Sequence, residues 1–215
     1  MKIFPNLIMY SLPSLLGIIL GCSALLLASC STTPGEAAHR GGHLEQAADL
    51  YHRGAEQGDA VAALKLGLMV EAGEAHTDKF GTSGHWFIQA CDLGDVLGCH
   101  NAGVGYEYGP EGKGGLNKNL EKARDYYLRA AQRGYMQSQY NLGSLYANQY
   151  FPDDVEGLKW LLLSQKSARS CPSISICKWI LDDSPGHIAR LRQRMSPEFQ
   201  ILAERQAADQ PKITK

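Results

Sequence analysis

Nine-residue blocks that end in glycine recur through the middle of this chain, and they limit its fold more than any single residue does. Asp59-Ala-Val-Ala-Ala-Leu-Lys-Leu-Gly67, Asp95-Val-Leu-Gly-Cys-His-Asn-Ala-Gly103 and Tyr135-Met-Gln-Ser-Gln-Tyr-Asn-Leu-Gly143 share one register, with last glycines 36 and then 40 residues apart. A second block keeps the same rhythm in Leu50-Tyr-His-Arg-Gly-Ala-Glu-Gln-Gly58, Trp86-Phe-Ile-Gln-Ala-Cys-Asp-Leu-Gly94 and Tyr126-Tyr-Leu-Arg-Ala-Ala-Gln-Arg-Gly134. Trp160-Leu-Leu-Leu-Ser-Gln165 is its degenerate fourth copy. Periods of this size mark stacked supersecondary units, none of which buries its apolar face alone.

The equivalent positions have physical reasons. Ala55, Cys91 and Ala131 are small, so one helix can approach the next; Tyr51, Phe87 and Tyr127 are large fillers. Gly67, Gly103 and Gly143 sit inside helical patterns, where glycine costs about 1 kcal/mol relative to alanine, which makes sense where another chain segment passes close. Tyr106 and Tyr146, three residues beyond their glycines, keep to the same face. Gly58, Gly94 and Gly134 are placed to end the second helix of each unit in a left-handed turn. Two helices per unit, stacked in line, predict a superhelix.

The patterns Tyr-Asn-Leu-Gly-x-x-Tyr from Tyr140 and Ala-x-x-x-Tyr-x-x-Ala-Ala-x-x-Gly from Ala123 closely resemble Sel-one-like repeats, relatives of tetratricopeptide repeats. The Cys91–Cys99 unit resembles the cysteine-rich secreted branch of that family. The resemblance runs from about Leu44 to Ser170. It implies an all-α, right-handed α/α solenoid of about three and a half units over 43–170. A C-terminal capping segment and polar tail are expected over 171–215, with a closing helix over Leu191–Gln206 in which Ser196 is a fitting N-cap and Pro197 a fitting first residue. Three departures stand out. The first unit lacks its leading helix, so Leu44–Gln57 must cap the array; the loop from Gly109 to Asn119 holds four glycines; and Gln165 replaces the small residue of its slot.

Residues 1–29 read as a lipoprotein signal peptide. Lys2 supplies a minimal positive start, no further charge occurs up to Pro34, and the apolar run ends in Leu27-Ala28-Ser29-Cys30. This resembles a lipobox, which implies that Cys30 is lipidated and that residues 30–42 form a linker. Ile19-Leu20-Gly21-Cys22 is a poorer match, because cleavage there leaves Ala24–Ala28 as an apolar mature end. Left uncleaved, Leu7–Ala28 is long enough to cross a bilayer. Ser31 after the cysteine implies, by the same resemblance, an anchor in the outer membrane facing the periplasm.

Removing 29 of the 215 residues leaves 186, one domain's worth. The signal takes away one charge, Lys2, so 21 basic groups become 20 against 22 acidic ones, a net charge near −2. That balance argues against a nucleic-acid partner, which needs a basic stripe. Four cysteines remain besides Cys30, namely Cys91, Cys99, Cys171 and Cys177, and an even count in an oxidising compartment reads as two disulfides. Cys91 ends one unit's second helix and Cys99 lies one turn into the next unit's first helix, so helix–turn–helix packing brings them together. The pairing of Cys171 and Cys177 with each other stays open.

Catalytic patterns are sparse. Some cysteine-rich relatives bind or cleave β-lactams, which implies a runner-up reading as a β-lactamase-like hydrolase using Ser175-Ile-Cys-Lys178, a Ser-x-x-Lys match. The accompanying Ser-Asp-Asn and Lys-Thr-Gly are absent from the sequence. Gly81-Thr-Ser-Gly-His85 lacks the final glycine of a nucleophile elbow, and Gly109-Pro-Glu-Gly-Lys-Gly-Gly115 lacks the spacing and hydroxyl of a phosphate loop. His39 and His43, four apart, and His100 beside Cys99 make weak metal candidates. No cofactor or metal is expected.

The expectation is therefore a scaffold or adaptor that binds another protein or peptide of the cell envelope on the concave wall formed by the first helix of each unit. The register assigns to that wall Lys65, then Leu97, His100, Asn101, Val104 and Tyr108, then Tyr140, Asn141, Ser144 and Asn148. In the related tetratricopeptide clamps an asparagine at the place of Asn101 and Asn141 bonds a peptide backbone or terminal carboxylate; Lys65 takes that place earlier and is able to pair with a carboxylate. The competing reading gives both asparagines to neighbouring backbone groups.

Overall fold

The structure, a computed structural model, describes residues 33–210 apart from 113 and 172; the expected signal segment and Cys30 lie outside the described residues. The described chain is helical: α1 Pro34–Arg40, α2 Leu44–Glu56, α3 Ala60–Glu71, the short α4 Thr77–Phe80, α5 Ser83–Asp92, α6 Val96–Tyr108, α7 Leu120–Gln132, α8 Met136–Ala147, α9 Asp154–Ala168, α10 Ser175–Arg194 and α11 Pro197–Ala208. Side chains start several of these helices. Asp59, Asp95, Asn119 and Asp153 each accept from backbone N–H groups of the following turn, which satisfies donors that a helix start leaves open. Gly58, Gly94 and Gly134 close α2, α5 and α7 with φ of 87°, 99° and 83°, the left-handed turn that the repeat predicts.

From α1 to α10 each long helix packs on its neighbours in sequence, with α4 lying in the α3–α5 connection. The apolar interior is correspondingly a row of clusters. Tyr51, Leu66 and Phe87 belong to one, Cys91, Cys99 and Ala130 to a second, Tyr127, Leu142 and Trp160 to a third, and Leu158, Leu161, Ile180 and Leu191 to a fourth. Such a series of local cores is the mark of an α/α solenoid, in which each unit depends on its neighbours. The repeat glycines occupy the contacts. A Cβ on Gly67 would lie 2.7 Å from Phe87 Cε1, one on Gly103 2.5 Å from Tyr127 Cδ1, and one on Gly143 2.6 Å from Leu161 Cγ.

Gly35 obeys the same rule, its Cβ position 2.6 Å from Tyr51 Cε1. This corrects two expectations. Residues 34–40, assigned to the linker, form a helix with a capping box between Thr33 and Glu36, and the first unit has a leading helix, shortened to two turns. Leu44–Glu56 is thus an ordinary second helix under α1.

The C-terminal expectation is also revised. The single closing helix from Leu191 becomes two, because the backbone turns extended at Met195 and Ser196 before Pro197 starts α11. Ser196 occupies the N-cap position without bonding the backbone there; its hydroxyl serves the Glu198 carboxyl, helping to hold it below the usual range. Helix α10 packs on α8 and α9, and α11 lies back on α9. Gln165, too large for its slot, is accommodated because the facing residue is small and polar: its Nε2 donates to Ser184 Oγ at 2.8 Å.

Candidate functional site: the inner wall

The wall is held in register by contacts between successive units. Gln89 Nε2 donates to Ala55 O at 2.9 Å, and Arg129, in the equivalent position, donates to Cys91 O at 2.9 Å. In the fourth unit Leu163 fills that position and has no donor, and Gln139 of α8 reaches Ala131 O instead, at 3.2 Å. Cys91 and Cys99 are bridged across the α5–α6 turn, and Cys171 and Cys177 across the α9–α10 turn. Both pairs span short segments at helix junctions, where they fix the angle between consecutive helices.

His100 and Tyr140 occupy the same place, three residues before their glycines, and neither is an open contact. His100 Nδ1 lies 2.9 Å from Ser138 Oγ on α8, with the Tyr135 ring at 4.9 Å. Burial there lowers its pKa to about 4, so the imidazole is neutral near pH 7. Tyr140 is 6% exposed. Its hydroxyl donates to Asp183 of α10, His187 Nε2 lies 3.3 Å away, and the Trp179 ring packs edge-on at 4.6 Å. The residue three before the glycine therefore points at the next leading helix, not at the concavity. This corrects the placement of Tyr140 on an open wall and leaves His100 only partly exposed at its edge.

One residue further along, the side chains do reach the inner face. Lys65 and Asn101 are partly exposed and form no hydrogen bond or ion pair among the described residues. Asn141 differs, since its amide lies beside the Tyr127 hydroxyl and works against the effect of burial on its pKa. That hydroxyl itself donates to Glu107 Oε2 at 2.6 Å. Burial raises the pKa of the Tyr127 phenol and of the Glu107 carboxyl, and the bond from Tyr127 draws the latter part of the way back. Glu107 stands four residues past Gly103 as Glu71 stands four past Gly67, so its position recurs in the sequence, but the hydroxyl that it accepts from shows only in three dimensions.

The remaining positions follow helical spacing from the glycines. Tyr108 is 55% exposed and Leu97 41%. Val104 is partly buried, and Ser144 sits half-buried beside the Tyr140 hydroxyl. Asn148 is exposed but accepts from Arg190 Nη2 at 3.4 Å, so α10 reaches across the wall of α8 at both ends. At the opposite end of the array, α1 and α3 enclose a cavity of about 660 Å³ to which Lys65 contributes together with Arg40, Leu68 and Met69. Ser175 and Lys178, the residues of the hydrolase reading, are both exposed in the first turn of α10, at a helix end and away from the wall described here.

Comparison with known proteins agrees with this geometry. The Sel1 repeat model matches residues 44–59, 60–95, 96–135 and 137–164, more than half of the chain. Curated proteins give no match. Among solved structures, the crystal structure of c5321, a protective antigen present in uropathogenic Escherichia coli strains and displaying an SLR fold, aligns with 75% of this chain and 32% of its own at 22% identity and a TM-score of 0.53. A Sel1 repeat protein from Oxalobacter formigenes aligns with 79% of this chain and 64% of its own, also at 22% identity, with a TM-score of 0.51. The chain spans about a third of the first and just under two thirds of the second, and the likeness is one of fold. Repeats of this kind generally serve as protein-interaction scaffolds. By its four matched units and their helical stacking, the chain belongs to the Sel1 repeat family.

Proposed function

We propose that this protein is a lipid-anchored scaffold of the cell envelope that binds another protein or peptide along the inner faces of α3 and α6. The observation that carries the reading is the stretch from Lys65 to Tyr108. There Lys65 and Asn101 have no partner among the described residues, and Leu68, Leu97 and Tyr108 expose 39%, 41% and 55% of their surface. Unsatisfied polar groups interleaved with exposed apolar ones, on a rigid helical face, match what recognition of a peptide requires. The lipobox resemblance at Cys30 supplies the anchor, and the near-neutral charge disfavours nucleic acid.

Site-directed photo-crosslinking in intact cells tests it. A photoreactive residue at Asn101 or Tyr108 should trap one discrete protein, and the same group at the exposed Glu121 of α7 should not. Equal labelling from both faces overturns the reading. Incorporation of a palmitate analogue should be lost in Cys30→Ala; labelling that survives there and disappears in Cys22→Ala moves the anchor to Cys22.

A further inference from the structure

Helix α1 shortens the tether between the array and its lipid. It is capped by Thr33 and packed on Tyr51, so the folded array begins three residues after Cys30 and the linker expected over 30–42 is reduced to Ser31 and Thr32. Three residue steps span at most about 11 Å when fully extended. A helix with its side chains is about 10–12 Å across. A body held on so short a chain cannot stand clear of the surface that holds the lipid. What lies beside Thr33 is therefore what meets that surface. One recess is lined by Thr33 and Pro34 together with Gln57, Asp59 and Val61 of the α2–α3 turn. Gly58 of this turn adjoins the α5–α6 turn, a Cβ on it lying 4.0 Å from Leu93 Cδ2. The α1 start and the two turns thus form one edge of the array. Its apolar side chains are open: Val61 is 52% exposed, Leu93 42%, and Pro34 is exposed as well. Its carboxylates are engaged within the chain, Glu36, Asp59 and Asp95 as helix caps and Asp92 with Arg129 at 2.9 Å. Arg53 borders the recess and Arg133 donates to the Gly94 carbonyl, so cations offset most of these acids.

We propose that this edge rests on the headgroup layer of the membrane that holds the Cys30 lipid, with Pro34, Val61 and Leu93 entering the layer. The inference rests on the lipid anchor proposed above. Apolar side chains on an edge of little net charge gain from leaving water whatever the headgroups carry. Three such side chains would hold a free protein weakly. Joined to the anchor, they act at the high local concentration that a short tether imposes, and they need only fix the orientation of the array. Helices α3 and α6 both start at this edge and so rise from the surface. Helix α6 has 13 residues, a length of about 20 Å. The inner wall from Lys65 to Tyr108 then lies within that distance of the headgroups, and the partner that it fits is a juxtamembrane segment.

The test uses the full chain, lipidated in its host and placed in phosphatidylcholine vesicles that carry a nickel-chelating lipid. A nitroxide label goes on Gln57→Cys, at the edge, or on Asp78→Cys in α4, beyond the far end of α3. The four cysteines of the array are bridged, so the added thiol alone reacts. Headgroup nickel should relax the label at Gln57 and leave the label at Asp78 near its value in solution. The double variant Val61→Glu/Leu93→Glu alters exposed side chains and should stay folded by circular dichroism. It should lose most of the relaxation at Gln57 while still floating with the vesicles. Equal relaxation at the two labels, or undiminished relaxation in the double variant, overturns the proposal. So does a contrast that appears only when phosphatidylglycerol is added, which assigns the contact to Arg53 and Arg133 instead. Flotation separates this from the anchor itself. A chain that floats yet shows no contrast keeps its lipid and loses the edge contact; a chain that does not float, with Cys30 unmodified by mass spectrometry, loses the anchor and the contact with it.

Discussion

Asn101 and Asn141 hold the same place in consecutive units, two residues before the glycine, yet the first has no hydrogen-bond partner among the described residues and the second lies beside a buried hydroxyl. The difference lies in the preceding second helix. Behind Asn141 stands Tyr127, whose hydroxyl lies beside the amide and donates a hydrogen bond to Glu107. The equivalent of Tyr127 one unit earlier is Phe87, a filler of nearly the same shape without the oxygen. Packing thus repeats while polar chemistry does not: the hydroxyl that stands beside Asn141 has no counterpart beside Asn101.

The largest test of this contrast is truncation of the two fillers. Tyr127→Ala and Phe87→Ala both empty a buried aromatic slot, and each should cost about 3–5 kcal/mol, lowering the melting temperature by on the order of 10 °C for a domain of this size. Tyr127→Phe should cost only about 1 kcal/mol through the lost hydrogen bonds. Calorimetry of the three variants checks it; a Tyr127→Phe loss as large as that of Tyr127→Ala means that the polar network, not the packing, holds the third unit.

Acid should act next most strongly, and on the same pair of units. His100 has a folded pKa lowered to about 4 from 6.5, so the unfolded chain takes up its proton first as pH falls. Stability from this group is fully present above pH 6.5 and is lost as pH drops towards 4, by up to roughly 3 kcal/mol for a shift of this size. His187, lowered chiefly by burial and then by Arg190, acts in the same direction at the α8–α10 contact. Denaturant melts at pH 7 and 4.5 should show the loss in wild type and a smaller one in His100→Asn. Undiminished acid sensitivity in that variant assigns the effect to other groups.

The two disulfides extend the comparison from the middle of the array to its C-terminal end. Each closes a loop of similar length, with sequence separations of 8 and 6, and removal of either should cost roughly 2–3 kcal/mol on the chain-entropy model. The consequences should differ in place. Replacing Cys91 and Cys99 by alanine should raise hydrogen exchange at the α5–α6 junction. Replacing Cys171 and Cys177 should raise it in α10 and expose Tyr140. Uniform loosening in both cases means that the array unfolds as one unit, not repeat by repeat.

How far the sequence foretold all this follows from what repeats and what does not. Helix ends and close contacts were legible because Gly58, Gly94 and Gly134, or Gly67, Gly103 and Gly143, recur with one spacing. Helix α1 was hidden because its glycine stands at the second residue, leaving no full apolar turn before it, although the Gly35–Tyr51 pairing follows the same rule. The face of Tyr140 lies one residue, about 100° of helix rotation, from the open one that the register suggests, since only the position of α10 shows which side is covered. The bond from Tyr127 to Glu107 and the cavity bordered by Arg40 and Lys65 need three-dimensional neighbours to appear at all.

The smallest effect is the one that speaks most directly to recognition. Asn141→Ala removes the amide beside the buried Tyr127 hydroxyl and should cost about 1 kcal/mol. Asn101→Ala removes a group with no partner among the described residues, so it should stay within about 0.5 kcal/mol of wild type. Capture of a partner should reverse that order, with Asn101→Ala weakening it by about tenfold per folded molecule and Asn141→Ala by less. Phe87→Tyr sharpens the point, because it offers Asn101 the hydroxyl that Asn141 already has; it should leave stability nearly unchanged and reduce capture as Asn101→Ala does. If Asn101→Ala instead costs as much stability as Asn141→Ala while capture per folded molecule is unaffected, the two asparagines are alike in their work, and the inner face of α6 is not where the partner is read.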